Sequence, residues 1–348
     1  ELIFLQSIGP RLGGLLTKDI GELKRIFLSP GPIFDPEDRM DDYWGYTEAF
    51  YSVGFRPGDV VQVTFNYHLS PAGLMFEEPL RNLGCASIPA GPTDPGTQLD
   101  IMQKLRVSGY VGTASYLMHL AQKAEEKGIN LRKDLFQEVA FVTGERLSEK
   151  MRNQLEKKFD IILRQGYGTA DVGCIGYECF HKTGLHISNR CYVEICHPDT
   201  GIPLKDGEVG EIVVTSFNKT YPLIRLATGD LSYIDRAPCA CGRTSPRLGS
   251  IVGRVDTTAR IKGMFVYPHQ VEQVMARFED IKRWQIEVIN PGGIDEMILY
   301  VEASNFHQED ELLHLFRERI KLRPELKVLA PGTLPPQIKP IEDKREWD

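Results

Sequence analysis

The sequence has no apolar run approaching the roughly 18 residues that a membrane helix needs, so no span is expected. Its apolar start, Glu1-Leu2-Ile3-Phe4-Leu5, has no basic lead and no small-residue cleavage site after it, which excludes a signal-peptide reading. Basic residues are also short: 41 Lys and Arg stand against 48 Asp and Glu, a formal charge of -7, with no basic block. That balance excludes the footprint of a nucleic-acid or membrane-surface binder. Cysteine is sparse too. Seven is an odd number in a chain of 348 residues, long enough to bury its own core, and it argues against a disulfide framework. A cytoplasmic protein is expected. The missing initial Met leads us to expect a further N-terminal part.

What is present is an ordinary globular composition, 42% hydrophobic and 26% charged, whose length suits two domains or one large one. From about Val60 to Gly168, short β-branched runs alternate with helical stretches. Strands are expected at Val60–Phe65, Ala86–Pro89, Tyr110–Gly112, Ala140–Thr143 and Ile161–Leu163, and helices at about Gln98–Arg106, Ala114–Glu126 and Ser148–Phe159. This alternation implies parallel strands with crossover helices, whose ligands bind beyond the strands' carboxyl ends. The loops to watch are Asn66–Pro71, Pro89–Pro95, Gly144–Arg146 and Gln165–Asp171. From Cys191 to Asp235 strands are joined by turns, as in a β-subdomain. After Gly253 the order strand, helix, strand, strand, helix, strand suits a small α+β domain, with Val271, Val274, Met275 and Phe278 on one helix face. The expected class is α/β: a core domain over 1–252 and a C-terminal lid domain over 253–348, linked near Gly253–Thr258.

Three segments could carry chemistry. Gly166-Tyr167-Gly168-Thr169-Ala170-Asp171 follows a strand. Its glycines would let the backbone approach a ligand, its ring could stack on a flat group, and its acid could ligate Mg²⁺ near phosphates; alone it also reads as a plain turn. Asp230, in Arg225-Leu226-Ala227-Thr228-Gly229-Asp230, could accept hydrogen bonds from a ribose diol or cap a turn. Arg254, in Gly253-Arg254-Val255-Asp256, could contact a nucleotide or be solvated.

In this order and spacing the three segments, with Lys262-Gly263 through Glu272 and Cys239-Ala240-Cys241-Gly242-Arg243-Thr244, resemble the adenylate-forming superfamily of acyl-CoA synthetases, and within it the phenylacetate–CoA ligase branch. The resemblance runs from about Phe27 to the end. It implies that Tyr167 stacks on adenine, that Gly144 and Glu145 line it, and that Gly166, Gly168 and Thr169 belong to the same adenylate loop. It further implies that Asp230 and Arg254 hold the ribose or phosphate, that Asp171 stands in for a Mg²⁺-binding Glu, and that Asp256 lies at the lid's hinge. The ligands implied are ATP or AMP, Mg²⁺, an aryl acid and coenzyme A or another acceptor; a homodimer is one expected assembly. By position in the fold, the acid would be lined by Asn66–Gly73 and Ala90–Thr93.

Two departures from the family pattern stand out. Where a hydroxyl-rich phosphate loop with a Lys is expected, the chain reads Phe27-Leu28-Ser29-Pro30-Gly31-Pro32-Ile33-Phe34-Asp35-Pro36, and each proline removes a backbone donor. The catalytic Lys near the C-terminus has Lys339 as its nearest candidate. The expected activity is therefore an ATP-dependent ligase that forms an acyl-adenylate and passes it on; the alternative is an impaired relative that binds an adenylate or aryl acid without efficient adenylation. Finally, Cys179, His186, Cys239 and Cys241 have the composition of a closed structural zinc site, with buried free thiols as the other reading. The resemblance favours zinc, with His186 preferred over His181.

Overall fold

The computed structural model describes residues 2–29, 32–255, 259–261, 264–289, 291, 296–304 and 306–345. After a short helix α1 (Leu2–Ile8), the hairpin β1 (Arg25–Ser29) and β2 (Ile33–Glu37) occupies the segment expected to hold a phosphate loop. Helix α2 (Thr47–Val53) leads into an alternation of β3 (Val60–Val63), α3 (Ala72–Asn82), β4 (Ala86–Pro89), α4 (Pro95–Lys104), β5 (Gly109–Gly112), α5 (Ala114–Glu126), β6 (Val139–Val142), α6 (Glu149–Phe159) and β7 (Ile162–Thr169). Strands β4, β3, β5, β6 and β7 pair in parallel, as the alternation requires.

These strands are short and apolar because both faces are covered. Val61, Val63, Val111, Val139 and Phe141 pack with Phe50, Phe76 and Leu80 in one cluster, whereas Tyr110, Ala140, Val142 and Leu163 point the other way, into Leu99, Leu117, Leu120 and Leu155. Local caps set the helix starts. The Thr113 and Ser148 hydroxyls accept from the amides of Tyr116 and Met151, both at 3.2 Å. Helix α4 starts earlier than the apolar spacing suggests, at Pro95, because Asp94 accepts from the amides of Gly96 and Thr97, both at 2.9 Å, and Pro is pre-set for the first turn.

Strand β7 is the principal correction. Gln165–Asp171 reads as a loop in sequence, yet β7 runs on to Thr169 and pairs antiparallel with β8 (Gly173–Glu178), with a register shift between Tyr167 and Gly168. Its glycines serve close packing: a Cβ on Gly166 would collide with the Phe141 ring, and one on Gly168 with the Gly173 carbonyl and the Tyr46 hydroxyl. Strands β9 (Leu185–Ile187), β13 (Ile234–Asp235) and β14 (Arg247–Leu248) extend this into a nine-stranded sheet, and β10 (Cys191–Cys196), β11 (Gly210–Ser216), β12 (Leu226–Ser232) and β15 (Gly253–Arg254) form a separate four-stranded one. Gly253 and Arg254, read as linker in sequence, are thus a paired strand.

Beyond β15, β16 (Ala259–Ile261) and β17 (Met264–Val266) form a small ribbon. A four-stranded sheet follows, ordered β20 (Glu325–Leu329), β19 (Glu296–Glu302), β18 (Arg283–Ile289), β21 (Ile341–Asp343), with helices α7 (Pro268–Met275) and α8 (Glu309–Ile320). Its hydrophobic cluster, including Val271, Val274, Ile286, Leu299 and Phe316, draws its buried members from residues 259–341 alone. Strand β21 is an addition to the expected order. No helix among the described residues is long and apolar enough to cross a membrane.

Candidate active site

A cavity of about 700 Å³ opens at the carboxyl ends of β6 and β7. Gly144, Glu145, Gly166, Tyr167, Gly168, Asp230 and Arg254 all line it, with Gln165 and, from the C-terminal part, Pro268 and Pro340. Segments far apart in the chain meet here because β7 brings in Tyr167, and β12 pairs Asp230 with Arg254 on β15. The Tyr167 hydroxyl donates to Asp230 Oδ2 at 2.8 Å, and Arg254 donates to Oδ1 at 2.9 Å. Burial, and then the Asp230 charge, push the Tyr167 phenol far up, so it stays a donor. Gly229 sits at φ +78° directly beside the Arg254 guanidinium, where a side chain would be strained as well as crowded.

On the other wall, Glu145 is exposed and accepts from the Ser115 amide at 2.6 Å and the Ser115 hydroxyl at 2.8 Å. Arg146 reaches Glu272 of α7 at 3.0 Å and ties the C-terminal part to this rim. Arg146 lies in a loop the sequence marked and Glu272 ends a family motif, but nothing in the sequence pointed to Ser115 or paired Arg146 with Glu272. Each acts through a partner brought close only by the fold.

Thr169 and Asp171 lie just beyond the cavity lining. Asp171 is partly buried, and its Oδ1 has no hydrogen-bond partner. Burial raises its pKa. Asp35 of β2 is 1% exposed and stands beside it, with the Asp171 carboxyl and the Ser29 hydroxyl acting on it and no N–H group donating to either oxygen. Burial, and then the Asp171 charge, push the Asp35 carboxyl up to about 7. Sequence reasoning missed Asp35, which looks like one acid among prolines. Lys339 is exposed, with its carbonyl accepting from Gln285 Nε2 at 3.2 Å; Pro340, its neighbour, lines the cavity. Asp256, Lys262 and Gly263 lie outside the described residues. In the expected acid pocket, His68 is exposed while the half-buried Tyr67 ring packs tightly on Gly73.

Cys179, His186, Cys239 and Cys241 come together at the end of β8, on β9 and in the loop before β14, all four ligand atoms within 4.8 Å of one another. The Cys179 and Cys239 sulfurs are 3.7 Å apart, and Cys241 Sγ is 3.4 Å from His186 Nε2. Zn–S bonds of ~2.3 Å arranged tetrahedrally put sulfurs about 3.7 Å apart, so the spacing suits one ion. His181 is exposed and apart. The Ser245 hydroxyl is 3.2 Å from His186 Nδ1, orienting the ring. Burial, and then Arg243 and Arg247, lower the His186 pKa, which favours the neutral ligand form. The cluster draws together the end of β8, β9 and the β13–β14 loop of the nine-stranded sheet, so an ion held there would staple that sheet's antiparallel end.

The chain matches the AMP-binding enzyme family over residues 44–219 and the AMP-binding enzyme C-terminal domain over residues 263–345. It is 32% identical over 307 residues to a phenylacetate-coenzyme A ligase of Thermus thermophilus, covering 82% of this chain and 69% of that protein. It is 28% identical over 318 residues to one of Escherichia coli K12, covering 84% and 71%. In fold it is similar to an open conformation of 2-hydroxyisobutyryl-CoA ligase in complex with 2-HIB-AMP and CoA, with a TM-score of 0.85 at 22% identity, over 99% of this chain and 80% of that one. It is also similar to ATP-bound MatB from Rhodopseudomonas palustris, with a TM-score of 0.64 at 17% identity, over 93% and 67%. On the extent of these matches, the chain belongs to the AMP-binding enzyme family.

Proposed function

We propose that the chain is an ATP-dependent ligase that activates an aryl, phenylacetate-like carboxylic acid as its adenylate and transfers the acyl group to coenzyme A. The observation that carries this reading is the Tyr167–Asp230–Arg254 cluster at the strand ends, a preorganised acceptor site flanked by a face for a flat base. Asp230 accepts from the ribose hydroxyls, Arg254 neutralises charge on the ribose or phosphate side, and the Gly144–Glu145 rim lines the adenine. The acid's carboxylate oxygen attacks the α-phosphorus and pyrophosphate leaves. In the second half, the thiol of coenzyme A loses its proton, attacks the acyl carbonyl, and AMP departs. Lys339 is the cation we assign to the developing charge on the α-phosphate, carried by a lid that begins beyond β15 and whose Pro340 already borders the cavity. Asp171 is the residue we assign to magnesium, which when bound offsets phosphate charge.

The test is ATP–pyrophosphate exchange with a panel of aryl acids. Acid-dependent exchange is expected, lost in Asp230→Ala. A second reading, an impaired relative that binds adenylates, is favoured by one observation: the phosphate-loop segment is a hairpin with a buried acid, Asp35, in place of hydroxyls and Lys. AMP binding without exchange would select it. We also propose that Cys179, His186, Cys239 and Cys241 hold a structural zinc ion, with no open ligand position. Metal analysis should find one zinc per chain, and chelation should lower the melting temperature; a chain that melts unchanged without metal refutes the assignment.

A further inference from the structure

Two loops at the carboxyl ends of the parallel strands, more than 50 residues apart in the chain, hang from one turn of helix α5. That turn is itself fixed. The Thr113 hydroxyl caps the Tyr116 amide, and the Thr113 carbonyl accepts from the hydroxyl of the fully buried Tyr110 at 3.0 Å. Behind it Leu117, Leu120 and Ala121 are completely buried, so the helix cannot shift without opening a close-packed core. From this post two side chains reach outward. Ser115 gives Glu145 both its amide, at 2.6 Å to Oε1, and its hydroxyl, at 2.8 Å to Oε2. Both Glu145 oxygens are thus engaged by the helix, while Gly144, with only backbone to offer, lines the cavity. Tyr116 donates its hydroxyl to the Thr93 carbonyl at 2.7 Å and so holds the loop that follows β4. The same loop accepts from the buried Gln98 side chain at the Gly91 carbonyl, at 2.8 Å, and its Gly91 amide donates to Val63 of β3 at 3.0 Å. Two residues beyond Val63, the Phe65 ring lies against Gly144, so the two loops border common ground. Neither Ser115 nor Tyr116 lines the cavity.

We propose that Ser115 and Tyr116 are positioning residues with divided tasks: Ser115 sets the nucleotide rim through Glu145, and Tyr116 sets the acid's side of the site through Thr93. The inference rests on the ligase reading, in which Gly144 and Glu145 line the adenine and Ala90–Thr93 borders the acid. Ligands of such sheets lie beyond the strands' carboxyl ends. With the nucleotide beside β6 and β7, the acid falls toward β3 and β4, and α5 is the element that reaches both. Because one capped turn carries both tethers, it fixes the two walls relative to each other, which is the spacing that in-line attack on the α-phosphorus requires.

The division can be read by binding alone, with AMP followed by calorimetry and phenylacetate by equilibrium dialysis. Ser115→Ala is expected to weaken AMP roughly two- to tenfold and leave phenylacetate unchanged; Tyr116→Phe should do the opposite by a similar factor. Ser115→Thr, which keeps the hydroxyl, should restore AMP binding. Ala is the best helix former and Phe keeps the ring, so both variants are expected to fold. A merely structural role would move both affinities together. Equal losses for both ligands in either variant, or no loss in either, overturn the proposal. Absent ATP–pyrophosphate exchange with this split intact would sink the ligase reading and leave the positioning roles standing; exchange without the split would do the reverse.

Discussion

Two buried carboxylates flank strand β7 and could hardly be treated more differently. Glu178 is 2% exposed and takes hydrogen bonds from Arg152 Nη1 at 2.9 Å, Arg152 Nη2 at 2.6 Å, the Gln165 amide at 2.8 Å and Gln165 Nε2 at 3.1 Å. Asp35, at 1%, takes none from an amide or a guanidinium; what stands beside it is the Asp171 carboxyl and the Ser29 hydroxyl. The first acid is a finished structural joint, holding α6, β7 and β8 together behind the segment that carries Tyr167. The second stands beside Asp171, where that segment ends. The contrast teaches that burial alone does not mark function. A buried acid held by a guanidinium belongs to the scaffold, whereas two buried acids side by side disfavour both being charged.

The comparison can be broken at each carboxylate in turn. Arg152→Met strands Glu178 in the interior and is expected to cost about 3–5 kcal/mol of stability in urea unfolding; a loss below about 1 kcal/mol would mean that Glu178 is not held as described. Asp35→Asn, the matching change beside Asp171, should leave stability in the same urea unfolding unchanged or raised, since it removes the repulsion between two acids. Asp230→Ala removes a half-buried acceptor of two hydrogen bonds. Calorimetry with AMP should show about 1.5–3 kcal/mol weaker binding, with the fold intact; unchanged affinity would remove Asp230 from the nucleotide site. The smallest effect belongs to Arg146→Ala. Both Arg146 and Glu272 are about half exposed, so the pair is worth roughly 0.2–1 kcal/mol in urea unfolding, and a larger loss would show that the rim is held more firmly than its exposure suggests.

Much of the fold was legible in the sequence where signals are local. Strand Ala86–Pro89 and helix Ala114–Glu126 lie where the apolar pattern puts them, and His186 joins the cysteines as the resemblance implied. The hairpin was not legible. Ser29-Pro30-Gly31-Pro32 reads as punctuation, and its strands exist because they pair with each other and pack against α1 and Tyr221. Nor was helix α3 legible, interrupted in composition by Pro79 yet helical around it. The reach of β7 through Gly166 and Gly168 was hidden for a related reason: glycine signals a loop locally, whereas here it marks close contact with Phe141 and Gly173.

By itself, the sequence determined the α/β alternation and the motifs of the AMP-binding family, and through that resemblance it singled out the four residues of the Cys/His cluster. These depend on neighbours within a turn or two of chain, or on residue types at fixed spacing. Only the tertiary structure decided which carboxylates are paired. Glu178 meets Arg152 and Asp35 meets Asp171 across segments distant in sequence, and the free energy of a buried charge depends on what stands within a few ångströms of it.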